Sequence, residues 1–269
     1  MNVLQNLLGN KIVLITGASS GIGRCIVNDF SRFQLKSLII VARNQSKLDE
    51  TASSIKSSID IHPLSCDVSN KEEVKRIGKE IHDRYGYIDI LINNAGVGIF
   101  GRVEKTSIEE IERVSFTNYF GMIYFTKVFL NSMIERNTGH IINIASLAAS
   151  FGIPGMAAYC GSKFAMLGFS ESLKSELKRT GIKVSVISPI GVKTNFFNNE
   201  YFNHKSPMKY MLDPKNVSNA VLRSIISGSF QTYVPTIAGL SIPFKYCFPA
   251  LTNLIIERQF RKFSHESIS

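Results

Sequence analysis

Cysteine and histidine are scarce in this sequence, and neither occurs at the spacing of a metal site or a disulfide framework. The chain has four cysteines without a Cys-x-x-Cys pair and five histidines without a metal-spaced pair. The pattern therefore predicts no bound metal ion. Scattered single cysteines are typical of reduced intracellular thiols, so we expect a cytoplasmic protein.

Unbroken apolar runs and a basic stripe are also missing. Residues 1–11 are too short for a signal peptide and lack its basic first part. Residues 237–256 are largely apolar, but Pro243, Lys245 and Pro249 interrupt them, which argues against a transmembrane helix. The net charge of +10 comes from scattered basic residues that are not interleaved with aromatics, so nucleic acid is not an expected partner.

What the sequence does contain is a regular alternation of short apolar runs and helical segments. Apolar residues make up 44% and charged residues 19% of the 269-residue chain, which indicates a globular protein with a sizeable core. The alternation predicts one α/β domain over 1–269, with a doubly wound, mostly parallel sheet of seven strands and helices on both faces. The predicted strands are 11–16, 37–41, 59–65, 88–93, 139–144, 183–188 and 232–234.

The first two predicted strands end in residues suited to a nucleotide. Residues 17–23 (GASSGIG) connect the first strand to a helix, and such a glycine turn lets a pyrophosphate approach the N–H groups at the helix start. The second strand ends at Arg43, where an NAD site would have an acid for the ribose hydroxyl. A guanidinium there favours the 2′-phosphate of NADP, and a solvated surface arginine is the alternative.

Further polar residues follow the third and fourth predicted strands. Asp67 lies where a carboxylate can accept from an adenine amino group, and a turn or capping role is the alternative. Asn94, Ala95 and Gly96 belong to a tight turn packed against a ligand or a neighbouring strand. Asn118 lies within an apolar helical segment, so its amide is expected to have a buried hydrogen-bonding partner.

Residues 143–163 combine Ser146 with Tyr159 and Lys163 at positions i and i+4 of a predicted helix. A free tyrosine has a pKa of about 10, and a neighbouring cation is expected to lower it towards neutral pH. A serine hydroxyl, a tyrosine and a lysine suit the interconversion of a carbonyl and an alcohol once a cofactor supplies hydride. The alternative is an apolar ring and a surface lysine that share a helix face by chance.

The motifs TGASSGIG, NNAG and Ser146 with Tyr-x-x-x-Lys, in this order and spacing, resemble the short-chain dehydrogenase/reductase family over residues 11–234. The resemblance implies a Rossmann-type fold and a homo-oligomer, either a dimer or a tetramer. It implies that Tyr159 is the general acid/base and that Lys163 lowers its pKa and holds the nicotinamide ribose. It also implies that Ser146 orients the substrate carbonyl and that Asn118 positions a water in a proton relay.

The resemblance also implies where the dinucleotide binds. The glycine turn would hold the pyrophosphate, residues 67–68 the adenine, and residues 192–194 the carboxamide. With Arg43 included, the expected cofactor-binding residues are Gly17, Ser19, Ser20, Gly21, Ile22, Gly23, Arg43, Asp67, Val68, Asn94, Ala95, Gly96, Tyr159, Lys163, Val192 and Thr194.

One position departs from the family pattern. The family has a glycine after the proline that ends the sixth strand, and this chain has Ile190. Isoleucine does not readily adopt a positive φ, which leaves the path of the loop and the fit of the nicotinamide open. Residues 193–213, in the position of the family's substrate lid, are rich in phenylalanine and tyrosine. They predict a bulky apolar substrate, although packing of the lid on the core gives the same pattern.

Residues 237–269, which we call the tail, are apolar and then basic. An interfacial membrane segment, a cover for the substrate site and a subunit contact all fit this pattern. We therefore expect an NADP(H)-dependent oxidoreductase that interconverts a carbonyl and a secondary alcohol on an apolar, lipid- or steroid-like substrate, with NAD the less favoured cofactor. The alternatives are a non-catalytic dinucleotide-binding protein on the same fold and a membrane-peripheral reductase that modifies lipids.

Overall fold

The computed structural model describes residues 2–197 and 211–265. Its centre is one parallel sheet in the order β3-β2-β1-β4-β5-β6-β7, which confirms the predicted seven-stranded, doubly wound architecture. The order reverses between β1 and β4, and ligands of such sheets bind beyond the carboxyl ends of the strands at this point. The strands are β1 (Ile12–Thr16), β2 (Ser37–Ala42), β3 (Asp60–Ser65), β4 (Ile90–Asn93), β5 (Gly139–Ile144), β6 (Ile182–Pro189) and β7 (Gln231–Val234).

Helices cover both faces of the sheet. In chain order they are α1 (Asn2–Leu8), α2 (Gly21–Phe30), α3 (Gln45–Ser53), α4 (Lys71–Tyr85), α5 (Ile108–Ser115), α6 (Gly121–Glu135), α7 (Ala157–Glu176), α8 (Pro214–Ser227), α9 (Ser241–Cys247) and α10 (Pro249–His265). A π-helical turn, Phe116–Phe120, joins α5 to α6. The sequence pattern did not predict α1, α9 or α10, because α1 and α9 are too short to show a helical period and prolines interrupt the tail.

The strands are apolar on both sides because each side faces a layer of helices. Val13 and Ile15 of β1 pack with α1, α2, α3 and α8 in one core. Ile12 and Leu14, which alternate with them, pack with α4, α6 and α7 in the other. The near-continuous apolar composition of β1 thus follows from its central position in the sheet.

A short network of polar groups fixes the register at the reversal point. The hydroxyl of Thr16, at the end of β1, accepts the backbone N–H groups of Asn94 (3.0 Å) and Ala95 (3.1 Å), which follow β4. Deeper in the sheet, the Asn93 amide donates to Asn143 of β5 at 2.9 Å. These contacts hold the three strand ends that form the floor of the site in one fixed arrangement.

The tail folds back onto the domain as α9 and α10. No helix in the described ranges combines the length and the hydropathy needed to cross a bilayer. The two ends of the predicted lid are joined by a parallel bridge between Val192 and Leu212, and the Lys193 N–H donates to the Leu212 carbonyl at 2.8 Å. The lid residues between them, 198–210, lie outside the described residues.

Candidate active site

The glycines of the turn after β1 are too closely packed to be replaced by residues with a side chain. Gly17 and Gly21 have φ values of +65° and +50°, a region that favours glycine. A Cβ atom on Gly17 would lie 2.8 Å from the Ala95 Cα, and one on Gly23 would lie 2.1 Å from the Gly17 carbonyl oxygen. The turn therefore brings bare backbone to the carboxyl end of β1, as a phosphate-binding turn requires.

The start of α2 offers free hydrogen-bond donors at this turn. Ser20 is the N-cap residue, and its side chain makes no capping hydrogen bond to a described residue. The first N–H groups of a helix carry positive partial charge and have no partner within the helix, so they suit an anion. Thr194 lies directly opposite, because a Cβ on Gly21 would be 3.0 Å from the Thr194 Cγ2. The structure thus brings the predicted pyrophosphate and carboxamide segments together.

The Asn94–Gly96 turn lies between the glycine turn and Lys163 of α7. The Asn94 amide donates to the backbone carbonyls of Thr16 (3.0 Å) and Gly17 (3.1 Å), so it braces the glycine turn. A Cβ on Gly96 would lie 3.2 Å from the Asn118 Oδ1 and 3.8 Å from the Lys163 Nζ. Asn94 and Gly96 both line the cavity that also holds Ser146, Tyr159 and Lys163.

The predicted ribose and adenine residues follow β2 and β3. Arg43 is exposed directly after β2, and it forms no salt bridge with a described residue. The Asp67 Oδ1 accepts the Ser69 N–H (2.9 Å) and hydroxyl (2.7 Å), so the turn role considered for Asp67 is the one seen here. Val68 is buried and packs against Gly121, the residue that follows the π-helical turn. A Cβ atom on Gly121 would lie 2.9 Å from the Val68 Cγ2.

Ser146, Tyr159 and Lys163 meet in the wall of one cavity of about 660 Å³. Ser146 follows β5, and its hydroxyl accepts the Ala148 N–H at 3.1 Å. Helix α7 presents Tyr159 and Lys163 on one face, with the ammonium 5.7 Å from the tyrosine ring centre. The Lys163 Nζ donates to the Ile144 carbonyl at the end of β5, at 2.9 Å.

Burial controls the protonation of Tyr159 and Lys163. It raises the pKa of Tyr159 to about 12, against a hydrogen bond from Ser146 that lowers it. It lowers the pKa of Lys163 to about 7, because a 4% exposed ammonium has lost almost all of its hydration. The expected lowering of the Tyr159 pKa by Lys163 is therefore wrong for this structure. At neutral pH Tyr159 keeps its proton.

Asn118 lies in the π-helical turn and is completely buried. Its Oδ1 accepts the Val97 N–H at 2.8 Å, and its Nδ2 donates to the Val97 carbonyl and the Ser162 hydroxyl, both at 2.9 Å. The predicted buried partners are confirmed. The water-holding role implied by the family resemblance stays a prediction.

Ser162 is a site residue that the sequence analysis missed. Its hydroxyl donates to the Tyr159 backbone carbonyl at 2.7 Å while it accepts from Asn118. It thereby connects the π-turn to the first turn of α7. The available signal was a serine directly before Lys163, on a helix whose face at that point is otherwise apolar.

Ile190 occupies the glycine position without backbone strain. Asn10 and Asn137 are the non-glycine residues with positive φ in the described ranges, and Ile190 is not among them. Its N–H donates to the Val234 carbonyl at 3.0 Å, which extends the pairing of β6 with β7. The path of the loop at this position thus requires no positive φ, and the fit of the nicotinamide stays open. The Ile190 side chain lines the cavity.

The rest of the cavity wall is apolar and comes partly from the tail. The Phe196 ring packs edge-on against Tyr159, with ring centres 5.5 Å apart. The tail residues that line the cavity are Ser241, Phe244, Thr252, Ile255 and Ile256. The described residues of the tail therefore cover the cavity that holds Ser146, Tyr159 and Lys163, and the three roles considered for the tail stay predictions. The helical spacing of residues 252, 255 and 256 was the sequence signal for this face.

Comparison with known proteins gives the family. The family model described as short chain dehydrogenase matches residues 11–204. 17-beta-hydroxysteroid dehydrogenase 13 from Homo sapiens is 33% identical over 255 residues, covering 93% of this chain and 83% of that protein. Epidermal retinol dehydrogenase 2 from Mus musculus is 34% identical over 259 residues, covering 94% of this chain and 82% of that one.

Solved structures agree on the fold and differ in cofactor. A short-chain dehydrogenase from Sphingobium yanoikuyae in complex with NADPH has a TM-score of 0.79 at 26% identity, covering 90% of this chain and 94% of that one. A short chain dehydrogenase/reductase from Burkholderia phymatum in complex with NAD has a TM-score of 0.81 at 23% identity, covering 91% and 96%, and this likeness shows the fold alone. The chain therefore belongs to the short-chain dehydrogenase family, whose members are oxidoreductases that use a nicotinamide dinucleotide.

Proposed function

We propose that this protein is an NADP(H)-dependent oxidoreductase that interconverts a carbonyl and a secondary alcohol on a bulky apolar substrate. The observation that carries the proposal is the single cavity that holds Ser146, Tyr159 and Lys163 at one end and apolar side chains elsewhere. Its volume of about 660 Å³ would be shared by the substrate and the nicotinamide end of the cofactor, because Ile22, Asn94 and Thr194 also line it.

The residues at the sheet reversal fit a dinucleotide. The side-chain-free turn at Gly17 and Gly23 gives room for phosphates close to the backbone, and the open start of α2 supplies N–H donors. Thr194 lies against this turn at Gly21, where it can reach the nicotinamide half of the same molecule. When bound, the cofactor supplies or removes hydride at the substrate carbon.

The chain itself handles the proton. Tyr159 keeps its proton at neutral pH, so its hydroxyl can donate to a substrate carbonyl oxygen during reduction. The Ser146 hydroxyl, in hydrogen-bonding contact with Tyr159, orients the same oxygen. Lys163, with a pKa of about 7, is poised to return a proton towards the tyrosine.

The apolar wall supports a steroid- or retinoid-like substrate. Phe151, Met156, Phe196 and Phe244 line the cavity on the side away from the sheet. Burial of this much apolar surface favours large hydrocarbon substrates over small polar ones. The names of the two relatives above, a hydroxysteroid and a retinol dehydrogenase, point to the same class.

The non-catalytic alternative, a dinucleotide-binding protein on this fold, would also use Lys163 to hold the nicotinamide ribose, and burying this ammonium to 4% exposure costs free energy in either case. That alternative does not account for the tyrosine and the serine beside the lysine. The meeting of that lysine with Tyr159 and Ser146 in one cavity favours catalysis.

The first test removes the proton donor. Tyr159→Phe should lower kcat for reduction of a bulky steroid ketone by about 10²–10⁴-fold, because it deletes the general acid and keeps the ring. The dissociation constant for NADPH should change by less than about twofold, since the phenol is not charged. Steady-state kinetics and fluorescence titration measure the two quantities. Tyr87→Phe, at the opposite end of the sheet, is the control, and near-normal turnover by Tyr159→Phe would contradict the assignment.

The second test concerns the free-energy cost of burying the Lys163 ammonium. The pKa of this lysine falls from 10.5 to about 7 on folding, so between these values the unfolded chain binds more protons and stability rises with pH. Lys163→Met should abolish turnover and stabilise the cofactor-free protein by on the order of 3 kcal/mol at pH 7. This gain should shrink as the pH approaches 10. Urea denaturation at several pH values measures the difference in the free energy of unfolding between the variant and the wild type. A difference that does not depend on pH would contradict the buried-ammonium account.

The preference for NADP rests on Arg43. Its exposed guanidinium follows β2 at the position where an acid would select NAD, and it has no salt-bridge partner among the described residues. A guanidinium binds a phosphate through charge-assisted, bidentate hydrogen bonds.

Arg43→Ala should therefore weaken NADPH binding and leave NADH binding nearly unchanged. The loss of one charge-assisted contact costs about 1.5–3 kcal/mol, or roughly a 10- to 150-fold rise in the NADPH dissociation constant. Titration of wild type and variant with both cofactors measures this, and NADH is the internal control. Equal losses for both cofactors would make Arg43 a structural residue, and a wild-type preference for NADH would remove the argument.

A peripheral contact with a lipid surface, made by a cytoplasmic protein, is part of this proposal. The outer side of the tail exposes large apolar side chains, with Ile237 at 73% and Leu240 at 68%, and further ones at Phe248, Leu251 and Leu254. The exposed Arg258 follows them, and the chain as a whole carries +10 charges, which complements anionic headgroups. This surface supports the membrane-peripheral alternative without changing the chemistry of the site.

The lipid contact is tested by sedimentation with vesicles. The wild-type protein should sediment with phosphatidylserine-containing vesicles at low salt and much less with phosphatidylcholine alone. The double variant Ile237→Ser, Leu240→Ser should lose this binding, and Ile108→Ser, an equally exposed site on α5, should retain it. Sedimentation that is unaffected by the tail variant, or absent with every vesicle, would contradict the contact.

We also propose the homo-oligomer that the family resemblance implies. Exposed aromatic rings at Phe116, Phe120 and Phe164, on neighbouring helical segments, support a subunit contact there.

A further inference from the structure

The tail forms one wall of the substrate cavity without being held by a core of its own. In the 3₁₀ turn Thr236–Leu240 and in α9, no side chain is buried. In the described part of α10, Thr252 is the buried residue. Apolar burial is the usual means of holding a helix in place, so a different interaction must fix α9 over the cavity.

That interaction is made by Lys245, in the last turn of α9. Its ammonium donates to the Ser150 backbone carbonyl at 2.6 Å. The rings of Phe151, Phe164 and Tyr246 surround it, with centres 5.4, 5.6 and 5.4 Å from the Nζ atom. No carboxylate among the described residues forms a salt bridge with it, so the carbonyl and the ring faces stabilise the charge.

The partners of Lys245 belong to the segments that carry the chemistry. Ser150 and Phe151 follow the short turn that begins at Ser146, and Phe151 lines the cavity. Phe164 directly follows Lys163 on α7. Lys245 therefore connects the tail both to the segment that follows Ser146 and to helix α7. These contacts lie beside the cavity in which the proposed apolar substrate would bind.

We propose that Lys245 is a positioning residue that holds the tail wall against the cavity and so sets the affinity for bulky apolar substrates. The inference rests on the proposed function, and it assigns to Lys245 no contact with the reacting atoms. Phe244, the residue before it, lines the cavity. Release of the ammonium would therefore let that ring and the wall behind it move away from the substrate.

The experiment compares Lys245→Met, which keeps the stem and removes the charge, with Lys245→Arg, which keeps a cation and a donor. Lys245→Met should raise KM for a bulky steroid ketone about tenfold, with kcat and KM for NADPH within about twofold. Lys245→Arg should restore most of the wild-type KM. Lys174→Met is the matched control, because Lys174 lies 4.7 Å over the Phe230 ring, which does not line the cavity.

Hydrogen exchange of the lipid-free full chain provides a readout that needs no activity. Backbone amides of α9 should exchange at least about tenfold faster in Lys245→Met than in wild type, and not in Lys245→Arg or Lys174→Met. Unchanged exchange in Lys245→Met overturns the proposal, and so does faster exchange with an unchanged KM. A wild-type protein that reduces no ketone refutes the proposed function, while the exchange result still decides whether Lys245 holds the tail.

Discussion

The contact between the ends of β1 and β4 is the constraint on which the site depends. The Thr16 hydroxyl accepts hydrogen bonds from the backbone N–H groups of Asn94 and Ala95. The Asn94 amide in turn donates to the Thr16 carbonyl, directly before the glycine turn. This places backbone without side chains beside the open start of α2, and it brings Gly96 against Lys163. The strand order reverses at this point, and it is here that ligands of such sheets bind beyond the carboxyl ends of the strands.

A second constraint is the desolvation of Tyr159 and Lys163. The same burial shifts two pKa values in opposite directions, upward for Tyr159 and downward for Lys163, since each shift favours the neutral form. The protein thus holds a protonated phenol beside an amine that titrates near neutral pH. A proton on the Lys163 ammonium therefore passes readily to a Tyr159 phenolate, because the phenolate is the stronger base. Desolvation of the ammonium makes folding less favourable below the pKa of a free lysine.

The cavity is lined by parts of the chain that are remote from one another in sequence. The sheet supplies the polar end, α7 supplies Tyr159 and Lys163, and the tail supplies part of the apolar wall. The inner side of the tail faces the cavity, and its outer side exposes apolar residues such as Leu240 and Leu254. A substrate-binding wall and a surface for lipid can therefore be two sides of the same helices.

The sequence by itself determined where the strands lie, that they run mostly parallel, and which residues follow their carboxyl ends. These follow from local signals, because apolar runs, glycine turns and the i, i+4 spacing of Tyr159 and Lys163 are readable without neighbours. Arg43 at the end of β2 and the buried partners of Asn118 could be expected in the same way.

Only the tertiary structure decided what depends on distant neighbours. The pKa values of Tyr159 and Lys163 follow from how much protein surrounds them, and the spacing alone gave the wrong direction for the tyrosine. Ile190 is accommodated because β7 pairs with its N–H, a partner that no local pattern reveals. The tail lines the cavity, and there Lys245 meets the carbonyl of Ser150, 95 residues before it, and the ring of Phe151. No local pattern reveals such contacts, because they exist only once the fold has brought the groups together.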